Sequence, residues 1–343
     1  MMAAFSLLFM ILGATAVSLG HRSIWISALG IVAAGTGAVI YGIDINDVVG
    51  QDSASYYDWY QRSKGGGTFY DDAVFNSFLF ILPEALSENI VFGILNLITL
   101  LLLSFTLLTL SRQFSVSFYS LGIVFLIILV DRIWLDLMYN TLRSTWAVLL
   151  FISAASVKSS IIRFGLFILA AGIHFYASMA LLMLYLITHM LMLTPRFLLN
   201  GSIVCVIIFL YKTSVGNFTF LIHLIEWLPL IESERFVRGT DIAARGYSRS
   251  QQTQMFVGII VPIILGIWRI RPQIRTASLK FTDLKVLAFG VVTTFFVVTL
   301  YPDIWSVWRF AVVPMAIFLL LIDSRLLKLL LWVKLVLIVG ALA

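Results

Sequence analysis

The sequence predicts an all-α polytopic integral membrane protein, one transmembrane domain over residues 1–343 with about 11–12 spanning helices and two long outer loops. Three observations lead there. Apolar residues make up 61% of the chain and charged residues only 12%, where a soluble domain carries about a quarter charged. Mean hydropathy is +1.03. The apolar residues gather into long runs, many of them close to the ~20 residues a helix needs to cross hydrocarbon, and the charges fall between the runs with a bias in sign from gap to gap.

Taken in order, the runs place helices at 3–20, 24–42, 89–110, 116–135, 142–157, 161–175, 176–193, 197–212, 253–270, 284–301, 304–322 and 326–343. The first, within "MMAAFSLLFMILGATAVSLG", has no basic residue before it and meets its first at Arg22. It therefore reads as a retained helix with its N-terminus outside, not as a signal peptide. The run 161–193 is divided at His174, because Arg163 and Arg196 flank it and both belong on one side. The last run has an amphipathic character from Lys328 and Lys334, so the count stands at eleven or twelve.

Threading these helices puts Arg22, Arg112, Lys158, Arg163, Arg196, Arg269, Arg271, Arg275, Lys280, Lys285, Arg325 and Lys328 on one side, with only Asp283 and Asp323 among the acids. Lysine and arginine in short loops mark the cytoplasm. Residues 43–88 and 213–252 then become the two outer loops. The net charge of +6 is spread over inter-helix gaps rather than gathered on a soluble face, so nucleic acid is not an expected partner. Cys205 stands alone inside an apolar run, and His21, His174, His189 and His223 show no ligand spacing. No disulfide framework, metal or cofactor is expected.

Most of the polar chemistry falls on the outer side. "GQDSASYYDWYQRSKGGGTFYDD", residues 50–72, sets Tyr56, Tyr57, Trp59, Tyr60, Phe69 and Tyr70 among Asp52, Asp58, Asp71 and Asp72. Aromatic faces beside carboxylates suit sugar rings and their hydroxyls, and they equally suit an interfacial aromatic belt. Gly65 to Gly67 give this segment the freedom to close over a substrate. In "DRIWLDLMYNTLRSTW", residues 131–146, helical spacing sets Arg132, Asp136, Tyr139 and Arg143 on one face. A charge at mid-bilayer costs about 2.5–3.5 kcal/mol, which places Asp131 and these charges near the outer surface or along a wet cavity. Arg132 and Asp136 can also simply pair at a helix end.

A third segment, "RFVRGTDIAARGYSRS", concentrates Arg235, Arg238, Arg245 and Arg249 on the outer face, against the usual charge bias. Arginine offers a fixed fork of donors that matches phosphate oxygens. The anion is a lipid headgroup or the diphosphate of a lipid-linked sugar, unless the charge is simply balanced by Glu226, Glu232, Glu234 and Asp241. His174 ends a helix on the same side, as a general base near neutral pH or as a helix-end residue bonded to backbone.

The run "YNTLRSTWAVLLFISAASVKSSIIRFGLFILAAGIHFYASMALL", residues 139–182, resembles the EpsG-like branch of the Wzy-type bacterial polysaccharide polymerases. Arg143 opens one helix there, a basic turn follows, and His174 precedes small residues at the next outer turn. "GQDSASY" is similar to the family's Gly-x-Asp-x-x-x-Tyr at Gly50, Asp52 and Tyr56, and "WSVWRFAVVPMAIFLL" looks like its late helix opened by an arginine, Arg309. One departure is "DINDVVG", where Asn46 and Asp47 stand near the place of an expected arginine.

The resemblance implies a membrane glycosyltransferase. It would move a glycan from its undecaprenyl diphosphate carrier to the non-reducing end of another lipid-linked repeat unit, without a metal, at the outer leaflet of the bacterial inner membrane. Lipid-linked oligosaccharide and membrane lipids are the implied partners, together with a chain-length regulator protein. Held against this chain, Arg143, Arg235, Arg238, Arg245 and Arg309 would bind the diphosphate, and His174 or Asp52 would activate the acceptor hydroxyl. Tyr56, Tyr57, Trp59 and Tyr60 would hold sugar. An O-antigen ligase and a flippase for the same lipid-linked sugar are the rival readings. The flippase is disfavoured because a transporter needs polar groups at mid-membrane, and runs such as 3–20 and 24–42 carry almost none.

Overall fold

The structure, a computed structural model, describes residues 51–65, 72–131, 133–134, 137, 141–191, 193–214, 249–276, 278–300 and 305–342, with short pieces at 12–13, 30 and 32–37. Every regular element among them is helical. They run α1 (Gln51–Lys64), α2 (Ala73–Ile81), α3 (Glu88–Phe114), α4 (Phe118–Leu129), α5 (Leu142–Ser156), α6 (Ser160–Ile173), α7 (Phe175–Met190) and α8 (Pro195–Ser214). After these come α9 (Arg249–Met255), a π turn (Phe256–Ile260), α10 (Val261–Arg275), α11 (Phe281–Leu300), a 3-10 segment (Trp305–Ala311), α12 (Val312–Leu319) and α13 (Ser324–Leu342). Four stretches are long and apolar enough to cross a bilayer: Glu88–Phe114, Pro195–Ser214, Gln252–Arg275 and Phe281–Leu300. Among the described residues the protein is all-α, with four helices of the length and apolarity of membrane spans.

The chain divides into two compact units, Met1–Met183 with Asp323–Ala343, and Leu184–Ile322. In the first, α5 is central. Apart from Arg143 and Ser156 all its residues are buried, as expected of a helix apolar on every face. It packs on α6 and on α3. Three polar ties fix it to α3: Trp146 Nε1 donates to Thr99 Oγ1 at 2.7 Å, and the Thr106 hydroxyl lies 3.0 Å from both the Leu149 carbonyl and the Ser153 hydroxyl. Between helices in an apolar medium such bonds contribute about 0.6–2 kcal/mol each.

Residues 51–81, expected within an outer loop, carry two helices, α1 and α2. Their spacing explains this, since Tyr56 and Tyr60 are four apart and point the same way. Both are buried, with Phe75, Leu79, Phe92, Leu95 and Trp146 in one core. The Tyr60 hydroxyl donates to the Pro83 carbonyl at 2.7 Å and accepts from Leu86 N–H at 3.0 Å, which fixes the turn into α3. Lys64 Nζ bonds the carbonyls of Phe80 and Leu82, closing the C-terminal end of α2 where a cation is favoured.

The break in the 161–193 run falls at His174. The residue is extended (φ −154°, ψ 99°) between α6 and α7, and its N–H bonds Ala170 O at 3.0 Å while its carbonyl accepts from Ser178 N–H at 3.2 Å. The last helix, α13, returns to pack on α4. There Lys334 forms a buried ion pair with Asp131, whose other oxygen accepts from Ile133 N–H at 2.8 Å. In the short N-terminal pieces, a side chain at Gly13 would sit 2.3 Å from the Gly30 carbonyl. That is the close crossing small residues permit.

In the second unit α8 packs on α11, and α10 on α12. A Cβ at Gly201 would lie 2.6 Å from Val291 Cγ1, and one at Gly266 would lie 3.0 Å from the Phe318 carbonyl. The π turn before α10 has Val261 N–H bonding Phe256 O, just ahead of Pro262, which supplies no N–H to continue the ladder. Lys212 is buried and bonds the Thr299 carbonyl at the end of α11. Cys205 is buried beside the Val291 carbonyl, 3.8 Å away.

Candidate functional site

Arg143 is the second residue of α5. A cation in a first turn is opposed by the helix dipole, so something must compensate it. That group is Asp72, whose Oδ2 accepts from Arg143 Nη1 although the two lie 71 positions apart in the chain. The guanidinium also stacks on Trp59, its central carbon 3.8 Å from the ring centroid. Stacking on an indole of this kind contributes about 0.5–2 kcal/mol.

Asp72 is built to make that contact. It precedes α2 in the left-handed region (φ 59°, ψ 47°), and its side chain makes no capping bond to its own helix. Aspartate tolerates this conformation better than most residues. The carboxylate turns instead toward α5 and α6. Oδ2 takes Arg143, and Oδ1 lies 3.9 Å from His174 Nδ1, within ion-pair range and beyond a hydrogen bond. Three residues from three parts of the sequence thus meet, with Asp72 in the middle.

The packing of α2 on α6 is what brings them together. A Cβ at Gly172 would lie 2.4 Å from Val74 Cγ2, so only glycine allows so close an approach two residues before His174. The side chains of Arg143, His174 and Asp72 are 22%, 13% and 7% exposed. The cluster is therefore sunk in the first unit but open enough for a ligand to touch. Arg143 gives one of its five donors to Asp72, and its Nε is buried without a hydrogen bond. The guanidinium retains donors for an anion's oxygens.

The other expected site residues fall as follows. Trp59 and Tyr57 are partly exposed, whereas Tyr56 and Tyr60 are buried. Tyr56 stands edge-on to Trp59 at 5.3 Å and to Phe75 at 5.8 Å, and the Tyr57 hydroxyl donates to the Leu86 carbonyl at 3.2 Å. Any sugar-facing area in this group is therefore offered by Trp59 and Tyr57. Asp52 stands in the first turn of α1. Arg309 is partly buried in the 3-10 segment of the second unit. Arg235, Arg238 and Arg245 lie outside the described residues, as do Gly50, Arg132, Asp136 and Tyr139.

Asp72 is the site residue the sequence analysis leaves among several loop acids. A signal was present: an Asp directly before the apolar run "AVFNSFLFI" marks a helix start, which would have anchored α2 and drawn attention to the residue that precedes it. No protein-family model matches the chain, and neither the curated proteins nor the solved structures contain a significant match.

Proposed function

We propose that the chain is a polysaccharide repeat-unit polymerase of the outer leaflet, a multi-pass protein of the bacterial inner membrane with eleven or twelve crossings. The observation that carries the reading is the cluster of Arg143, Asp72 and His174 beside Trp59. It joins an anion-binding fork, a base and an aromatic face at one place.

The chemistry assigned to it is displacement at the anomeric carbon of the donor glycan. The acceptor hydroxyl oxygen attacks that carbon, and its proton passes to His174. The bond from the carbon to the diphosphate oxygen breaks, and its electron pair leaves with undecaprenyl diphosphate. Arg143 holds the charge that grows on that leaving group, the kind of fixed electrostatic stabilisation that dominates many transferases. Asp72 stands on the Nδ1 side of the imidazole, and the role of base is assigned to the ring as a whole. Trp59 presents a ring for the sugar adjoining the diphosphate. Diphosphate binding by Arg235, Arg238, Arg245 and Arg309 rests on the resemblance alone. A chain-length regulator is the expected protein partner.

A deletion strain tests the reading through its surface glycans and lipid-linked intermediates. Single repeat units displayed on the outside are expected. Normal-length polymer retained on the lipid carrier would make the protein a ligase, and repeat units trapped inside would make it a flippase.

A further inference from the structure

The join between α10 and α11 concentrates positive charge that the fold does not use. Arg269, Arg271, Arg275 and Lys280 are all exposed, and among the described residues none of the four enters an ion pair or a side-chain hydrogen bond. Arg271 and Arg275 stand four apart, a spacing at which like charges repel. The acid that follows, Asp283, lies in the first turn of α11, where the helix dipole already favours it. The turn is firmly built: Thr276 N–H bonds the Pro272 carbonyl and Ser278 N–H the Gln273 carbonyl, both at 3.0 Å. Because α10 and α11 belong to stretches of spanning length, the residues 276–280 that join them lie at a bilayer surface.

Topology alone needs cations on one side of the membrane, not in order along one helix face. Here they are ordered. Ile263, Ile267, Ile270 and Ile274 are buried, while Ile264, Trp268, Arg271 and Arg275 follow one another on an exposed face at spacings of four, three and four. Ile264 is 42% and Trp268 61% exposed. Over about 17 Å of helix this face passes from alkyl to indole to guanidinium, the order of a phospholipid from acyl chain through the interface to phosphate. At the start of α11 Phe281 is exposed as well, with Lys285 Nζ 4.6 Å from its ring centroid. We propose that this face of α10 binds an anionic phospholipid. The acyl chain runs along Ile264, the interfacial region rests on Trp268, and the headgroup phosphate takes the paired donors of Arg271 and Arg275. Arg269 and Lys280 add to the field that attracts it. An acidic protein segment or free phosphate would use the cations but not the indole and alkyl groups beneath them. The inference does not depend on the reading of the Arg143 cluster.

The test uses the purified full-length chain, stripped of lipid in a neutral detergent and titrated with phosphatidylglycerol or phosphatidylcholine, with bound lipid counted by native mass spectrometry. Phosphatidylglycerol is expected to bind about tenfold more tightly or better. Arg271→Gln with Arg275→Gln is expected to abolish that preference, and Trp268→Ser to weaken phosphatidylglycerol binding about threefold or more. Arg112→Gln with Arg196→Gln removes as much charge from two other exposed arginines and is expected to leave binding unchanged. All these variants alter exposed side chains and are expected to unfold at the wild-type temperature. Equal affinity of the wild type for the two lipids would overturn the proposal. So would equal losses in the two double variants, because binding would then follow net charge and not this face. Full displacement of phosphatidylglycerol by excess inorganic phosphate would make it a site for soluble anions. Unchanged binding by Trp268→Ser would leave only a charge patch, suited to an acidic protein, and the lipid would be ruled out as its occupant.

Discussion

Arg143 is fixed by two different interactions, a carboxylate along its edge and an indole on its face. Lysine can satisfy the first as a point charge but cannot stack as a plane. Arg143→Lys is therefore expected to express at normal levels and still lose most polymer formation, and Arg143→Ala is expected to reduce turnover about 10²–10³-fold, as removal of one donor to a developing oxyanion does. Radiolabelled repeat-unit incorporation in isolated membranes measures both. Residue by residue, the sequence was uneven as a guide. Arg143 and His174 stood out because a charge and an imidazole are conspicuous beside apolar runs. Asp72 did not, since an acid in a polar stretch is ordinary and its partner is 71 positions away. Tyr56 and Tyr60 looked like exposed aromatics by composition, while their four-residue spacing pointed to one buried face.

At the scale of elements, the contact of α2 with α6 sets the geometry of the cluster, and Gly172 permits it. Gly172→Leu must push Val74 aside and with it the helix that begins after Asp72. The expected cost is about 1–3 kcal/mol from overpacking, with loss of activity even where the protein still folds. Val74→Ala in the same chain should restore part of both, read by thermal unfolding and by polymer formation. The pair of Asp131 with Lys334 makes a second case. Replacing Lys334 alone by methionine leaves a buried carboxylate uncompensated, which costs about 3–5 kcal/mol. The double change Asp131→Asn with Lys334→Met should recover most of that loss, and a double-mutant cycle in detergent measures the coupling. The helices from α3 onward were legible because apolar runs bounded by charge leave little choice. The pairing of α13 with α4 was not, because a contact between positions 203 apart leaves no local trace.

For the whole molecule, loop charge is the only guide to sidedness, and it yields a sharp expectation. Cys205 is the single cysteine of the chain and is buried, so Cys205→Ser provides a clean background for labelling. Arg238→Cys should react with a membrane-impermeant maleimide added to intact spheroplasts, and Lys280→Cys should react only after permeabilisation. The reverse pattern would invert the orientation and move the Arg143 cluster to the cytoplasmic face, where the proposed donor is not displayed.

The central claim is that Arg143, held by Asp72 beside His174, carries out glycan polymerisation. The most direct measurement is a gel of lipid-linked and surface glycans from a strain whose only copy carries His174→Gln, with protein level and membrane insertion checked on the same sample. Wild-type protein levels are expected, with repeat units that reach the surface but remain single. Full-length polymer from that strain would contradict it, because a chain that polymerises without its base does not use this site.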